Sequence, residues 1–226
     1  MTCMHWKSEV IISATYNCLL GLNTHSTSYI KEKWEKESGI QITDKEWETI
    51  WKCQWKCTSS MSWKEFNWKN LIRYFITPYQ KHKCSDTVPA CWRQCGQQCS
   101  DHYHVFWDCP NIRTFWTEIH QALQDIFGED TALDFKMMYL GCVPKNWLKV
   151  DKYLFNILMV ASKKAITRNW LQPHSPTIIM WRDIVVEIYK MEGLTAHVNQ
   201  NNDVFLDRWL KWFYFVPAKW PNESLL

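Results

Sequence analysis

The chain has 226 residues, 46% hydrophobic and 22% charged, with a net charge of +3. That is enough to bury a real core in one large or two small domains, and it excludes an intrinsically disordered chain. The net charge is too small to establish a polyanion partner, and no segment approaches the roughly eighteen apolar residues of a membrane span.

Six glycines and eight prolines favour helices over a turn-rich β fold. Sixteen tryptophans must supply much of the core, with some left as a stacking surface. The start, MTCMHWKSEV, lacks a basic stretch followed by an apolar run, so no signal peptide is expected. The ten cysteines are then expected as reduced thiols, in the cytoplasm and nucleus. The sequon at Asn222-Glu-Ser224 has no meaning without secretion.

Taken in chain order, residues 1–83 read as a helical region. Thr43 followed by Glu46 is a capping box, and Trp47, Ile50, Trp51 and Trp55 then recur at helical spacing. Ser62 and Glu65 form a second such box, ahead of an apolar face of Trp68, Ile72 and Phe75. Pro78 is expected to stop that helix just after Thr77. Residues 84–110 have no period and too little apolar mass to fold alone, so something else should hold them. Residues 111–226 return to helices. Pro110 suits a first turn, Gly128 a C-terminal cap, and Ile112, Phe115, Trp116, Ile119, Leu123, Ile126 and Phe127 line one stripe between them. After a loop comes a helix over about 152–171. Leu154, Ile157, Leu158, Ala161 and Ala165 point inward there, and Lys163, Lys164 and Arg168 outward. Further helices are expected from Thr177 to a stop at Gly193, and from about Asp203. The fold class is mainly α, a helical bundle-like region with a small irregular module inserted.

That module, CWRQCGQQCSDHYHVFWDCP (Cys91–Pro110), holds four cysteines and two histidines. A zinc site needs four such ligands, usually two from each of two short turns. Cys91-x3-Cys95 offers one pair and His104-x4-Cys109 another, with Cys99 and His102 as spare candidates. Spacing alone leaves zinc and a buried set of thiols both open. The i, i+4 pair Cys53 and Cys57 reads as ordinary helix thiols. Bases cluster in two places. Lys64, Lys69, Arg73, Lys81 and Lys83 face one acid between Trp63 and Lys83, and Lys163, Lys164 and Arg168 belong to a second cluster. Each fits either a nucleic-acid path or a solvated helix face.

CWRQCG, then HVFWDCP, then a helix opening NIRTFW resembles the C-terminal cysteine-rich segment of vertebrate LINE-type (non-LTR) retrotransposon reverse transcriptase polyproteins. SYIKEKWEKE, WKNLIRYFITPYQKHK, YLGCVP, RNWLQPHSPTIIMW and IYKMEGLTAH resemble the same polyproteins in the same order. The resemblance implies that residues 84–110 are a CCHC zinc-knuckle module with zinc on Cys91, Cys95, His104 and Cys109, and with no ligand role for Cys99 or His102. It further implies that this chain lies downstream of the polymerase and helps bind template RNA during target-primed reverse transcription. RNA, single-stranded DNA and the polymerase part of the polyprotein are the implied partners, with no membrane and no small-molecule substrate. No Asp-Asp dipeptide occurs, so the chain is not expected to be an enzyme. Within the module, Trp92 is the candidate for stacking on a base and Arg93 for a phosphate, while Trp107 is expected to pack on the following helix. Two other readings stand beside this one: a helical protein-interaction module, and an enzyme built on a Cys95–His104 pair.

Overall fold

The computed structural model describes residues 27–128 and 131–221. The opening stretch MTCMHWKSEV and the Asn222 sequon lie outside them. The described residues form helices without strands: α1 Ser28–Ser38, α2 Asp44–Gln54, α3 Met61–Leu71, α4 Pro78–Cys84, a π-helical turn His104–Asp108, α5 Pro110–Phe127, α6 Phe135–Met138, α7 Lys149–Arg168, α8 Ile178–Val198 and α9 Asn202–Lys219. No helix among them is long and apolar enough to cross a membrane.

The last long helices make the main body: α7, α8 and α9 pack against one another and α5 closes on them, while α3 leans on α7. One apolar cluster runs from Ile30 in α1 through Cys91, Phe106 and Leu158 to Trp212 and Val216 in α9. Tryptophan fills much of it: Trp34, Trp116, Trp181, Trp209 and Trp212 are wholly buried. A buried indole N–H needs an acceptor. Trp34 donates to the Leu71 carbonyl at 2.9 Å, Trp116 to Phe106 at 2.9 Å, Trp181 to Leu158 at 3.0 Å, and Trp209 to the Glu192 carboxylate at 3.1 Å. These bonds fix interhelical register as well as burying area.

Local sequence rules set several helix ends. Thr43 and Glu46 form the expected capping box, and Lys136 from α6 binds the same Glu46 at 2.8 Å. The Lys136 ammonium and the Thr43 amide together push the Glu46 carboxyl down to about 2. α5 runs from Pro110 to the left-handed cap at Gly128, with every residue of the expected stripe buried.

Four expectations are corrected. α3 begins at Met61 with Ser60 as cap, not at a Ser62 box. Thr58 and Ser59 are held by Glu192 at 2.8 Å each, which fixes where the chain enters α3. α3 also ends early, at Leu71. Arg73 takes a left-handed φ of 64°, its N–H reaches Asn70, and the Tyr74 N–H reaches Lys69. That is a Schellman ending with arginine where glycine is usual, and Arg73 is held there by the Glu37 carboxylate and the face of Trp34. Pro78 therefore starts α4 instead of stopping α3, as its first residue behind a Thr77–Gln80 capping box. Finally, α8 runs straight through Gly193. A Cβ there would sit 3.3 Å from the Phe205 ring, so this glycine admits α9 and does not end a helix.

Candidate metal centre

Two unlike turns bring the ligand candidates together. In the first, the Gln94 N–H bonds the Cys91 carbonyl and the Cys91 N–H bonds Gln97, both at 3.0 Å. Gln94 and Gly96 take φ of 55° and 89°, which folds Cys95 back toward Cys91. Such a conformation suits glycine, and the chain supplies one at Gly96. The second turn is the π-helical segment. The Cys109 N–H reaches the His104 carbonyl five residues back at 2.9 Å, returning Cys109 to the level of His104. Asp101 caps its start by accepting from the His104 N–H at 2.9 Å, and Trp116 takes up the Phe106 carbonyl.

The side chains of Cys91, Cys95, His104 and Cys109 converge so that one ligand atom from each lies within 4.8 Å of all the others. Cys91 Sγ is 3.8 Å from Cys109 Sγ, and Cys95 Sγ is 3.3 Å from His104 Nε2. The Cys91 and Cys109 sulfurs are far beyond disulfide length, and all three cysteines of the cluster are free of disulfides. A tetrahedron with metal–sulfur bonds of about 2.3 Å has a sulfur–sulfur edge of about 3.8 Å and a sulfur–nitrogen edge of about 3.6 Å. The cluster has the donor set and the size to hold a metal ion.

The surroundings favour thiolate at Cys91 and a retained proton at Cys109. The hydrogen bond from Cys109, opposed by burial and aided by His104 and the Arg93 amide, drives Cys91 down to about 3. Its bond to Cys91 and its burial push Cys109 up, while the Asn111 amide and the Arg93 charge work against that rise. A divalent cation would remove the need for the retained proton. Three thiolates, a neutral imidazole and a divalent ion sum to one negative charge. Arg93, whose charge acts on Cys109, would be the matching cation. It is 2% exposed, and Nη1 donates to the Val105 carbonyl at 2.9 Å. Nε and Nη2 are buried without a protein acceptor. Asn111 holds the Arg93 carbonyl at 2.6 Å.

The other sequence-nominated residues separate clearly. Cys99 and His102 lie outside the cluster: Cys99 is exposed, and His102 is buried against Trp34 and Phe106. Burial pushes the His102 ring down to about 3. Trp107 packs on Trp116 at 4.7 Å, as expected. Trp92 is half-buried, edge-on to Trp170 at 5.4 Å.

Three of the proposed nucleic-acid contacts are not presented to solvent. Arg93 is turned inward, as above. Arg73 is committed to Glu37 and Trp34. Lys163, expected on the outer face of α7, is 4% exposed; its ammonium donates to Asn67 at 2.9 Å and sits 4.8 Å from the centre of the Tyr139 ring. α3 covers α7 at that point, which the pattern of α7 alone does not disclose. Lys69 pairs with Glu65, and Arg168 with Glu187. Lys164 lies over the Phe66 ring at 4.8 Å, Lys64 is half-buried, and Lys81 and Lys83 are exposed.

Sequence reasoning passed over the Arg93 and Asn111 amides that serve the thiolates, because backbone donors leave no residue-type signal. It also passed over Lys33 and Lys36, although Tyr29, Lys33 and Lys36 follow an i, i+4, i+7 helical spacing. No family model matches the chain.

Proposed function

We propose that this chain is a zinc-stapled helical region of a LINE-type retrotransposon polyprotein that grips template RNA, and single-stranded DNA, beside the polymerase during target-primed reverse transcription. The observation that carries the reading is the Cys91, Cys95, His104 and Cys109 cluster, whose sulfur–sulfur edge matches a tetrahedral zinc site. The resemblance of the surrounding residues supplies the task. All four positions would be filled by protein, so zinc here organises the backbone and leaves no open position for a substrate. The chain then binds and does not catalyse. Its partners are nucleic acid and the polymerase part of the polyprotein, met in cytoplasm and nucleus.

The test joins a metal analysis to an RNA titration. Purified folded chain should carry about one zinc, and log Kd should rise steeply with log salt. Cys91→Ser and Cys109→Ser should lose metal and RNA affinity together. Folded protein without metal sinks the zinc assignment; RNA affinity that ignores both substitutions sinks the module's role.

A second reading rests on a different face. Leu206, Leu210 and Phe213 recur at i, i+4 and i+7 on α9, and all three are exposed, as is the adjacent Tyr214. This is the signature of a helix that docks a protein. Leu210→Glu and Phe213→Glu would abolish association with the polymerase part while sparing RNA binding, if that face is a contact.

A further inference from the structure

We propose that the cleft between α1 and α4 is a seat for an unpaired nucleotide of single-stranded RNA, with Lys33, Lys36 and Lys83 on phosphate and Tyr29 or Tyr79 against the base. The proposal rests on the nucleic-acid reading above and locates it. The cleft has a volume of about 470 Å³ and is bounded by α1, the end of α3, α4 and the segment Cys99–His102.

Its walls carry the same device twice. Tyr29 and Lys33 are four residues apart on α1, and the Lys33 ammonium lies 5.5 Å from the Tyr29 ring centre. Tyr79 and Lys83 are four apart on α4, with the Lys83 ammonium 4.4 Å from its ring. Each ammonium lies over one side of its ring at the cleft wall, so a charge for phosphate stands beside an aromatic ring for a base. Positive grooves lined with aromatic rings are how proteins bind single strands without reading sequence.

The charge balance points to an anion. Glu37 in the floor is spent on Arg73 and on the Tyr103 N–H at 3.3 Å. Asp101 is engaged with the His104 N–H. Lys33, Lys36 and Lys83 have no carboxylate within ion-pair distance among the described residues. Three unpaired ammonium groups around one cleft repel one another until an anion enters. An acidic peptide would meet the charge and leave the two rings unused, which is why a nucleotide fits better. The cleft also borders the metal module, since Cys99, Asp101 and His102 lie between the two ligand pairs.

The experiment titrates zinc-loaded full chain into a labelled single-stranded oligouridylate over a range of salt. The variants are Lys33→Ala with Lys83→Ala, Tyr79→Ala and Tyr79→Phe. A single-strand phosphate contact contributes about 0.7 to the salt slope, so the double lysine variant should lower it by about 1.4. Tyr79→Ala should weaken binding about 5- to 150-fold, and Tyr79→Phe should stay near the parent. Both lysines are exposed, so this variant keeps the fold even if Tyr79→Ala disturbs it. An unchanged slope in the double lysine variant overturns the cleft, and so does displacement of the RNA by polyglutamate at equal charge. If parent chain binds RNA and only the Cys91→Ser variant fails, the cleft alone is wrong. If parent chain binds no RNA, the proposed function falls and the cleft with it.

Discussion

Lys163 offers a test that needs no ligand. Its ammonium is buried between α3 and α7 with one neutral acceptor, Asn67, and the Tyr139 ring; no carboxylate pairs with it. Burial brings the lysine down from 10.5 to about 8, with the nearby Cys57 opposing the fall only weakly. A folded value below the unfolded one means the unfolded chain binds more protons between those limits. Stability therefore rises with pH across that window, and the cost of the buried charge is fully present below pH 8. That cost is about 3 kcal/mol at pH 7 and about 2 kcal/mol at pH 9, a relief of about 1.3 kcal/mol. Lys163→Met keeps the stem and removes the charge, but leaves the Asn67 oxygen without its donor, a loss of about 1–3 kcal/mol. At pH 7 the variant should thus lie between parity and about 2 kcal/mol more stable than the parent. Urea unfolding followed by tryptophan fluorescence at pH 7, 8 and 9 measures both proteins. Burial holds Cys57 up at about 11, and losing the Lys163 charge can only raise it further, so the folded thiol stays protonated in both proteins through pH 9 and drops out when the variant is subtracted from the parent. The stability of the parent relative to the variant must rise by about 1.3 kcal/mol from pH 7 to 9 whatever Asn67 contributes. A parent that gains nothing on the variant, or loses ground to it, as pH rises would refute the buried ammonium.

Glu192→Gln should cost about 2–4 kcal/mol in the same assay: the carboxylate accepts from Thr58, Ser59, Tyr153 and Trp209 at 2.6–3.1 Å, and an amide places donors against one of those donors. A loss under 1 kcal/mol, on the order of a surface substitution, would show that the α2–α3 turn does not depend on it. Gly193→Leu should drive a side chain into the Phe205 ring and cost about 1–3 kcal/mol, with Phe205→Ala relieving part of the loss in the double variant. Additive effects of the two substitutions would deny the contact. Chelation should lower the unfolding free energy by an amount on the order of several kcal/mol, moving the urea midpoint down until zinc is added back, and a midpoint indifferent to chelator would remove the metal from the fold.

What could be read in advance was what local rules decide. α5 is the clearest case, because proline at its first position, an apolar stripe and a terminal glycine all agree, and the structure has the same residues at both ends. The Thr43–Glu46 box held for the same reason. Misreadings arose where a distant partner overruled the local signal. Arg73 ends α3 in a conformation expected of glycine because Glu37, thirty-six residues earlier, receives its guanidinium. Gly193 resembled a stop and proved to be a contact, since its meaning depends on Phe205 in another helix. Lys163 looked exposed on the α7 pattern because the covering helix was not in the pattern. Spacing suggested the four metal-site residues, yet their convergence depends on a π-helical turn and two positive-φ residues that no spacing rule announces.

The module shares its core with the helices. Phe106, inside the second ligand turn, is fully buried and touches Phe75, Tyr139 and Trp170, three rings from three separate segments. The N–H of Tyr79 at the start of α4 bonds the Ser100 carbonyl at 3.1 Å, and Glu37 of α1 accepts from Tyr103. Apart from these ties, the stretch from Cys84 to Ser100 buries little apolar mass, so a cation drawing its ends together is the strongest constraint available to it. The same cation would fix the wall of the α1–α4 cleft, because Cys99, Asp101 and His102 lie on the loop that it closes. With a cation bound, core, module and cleft would form one mechanical unit. Loss of metal should loosen the cleft before it unfolds α7, α8 and α9, whose packing and indole hydrogen bonds do not pass through the module.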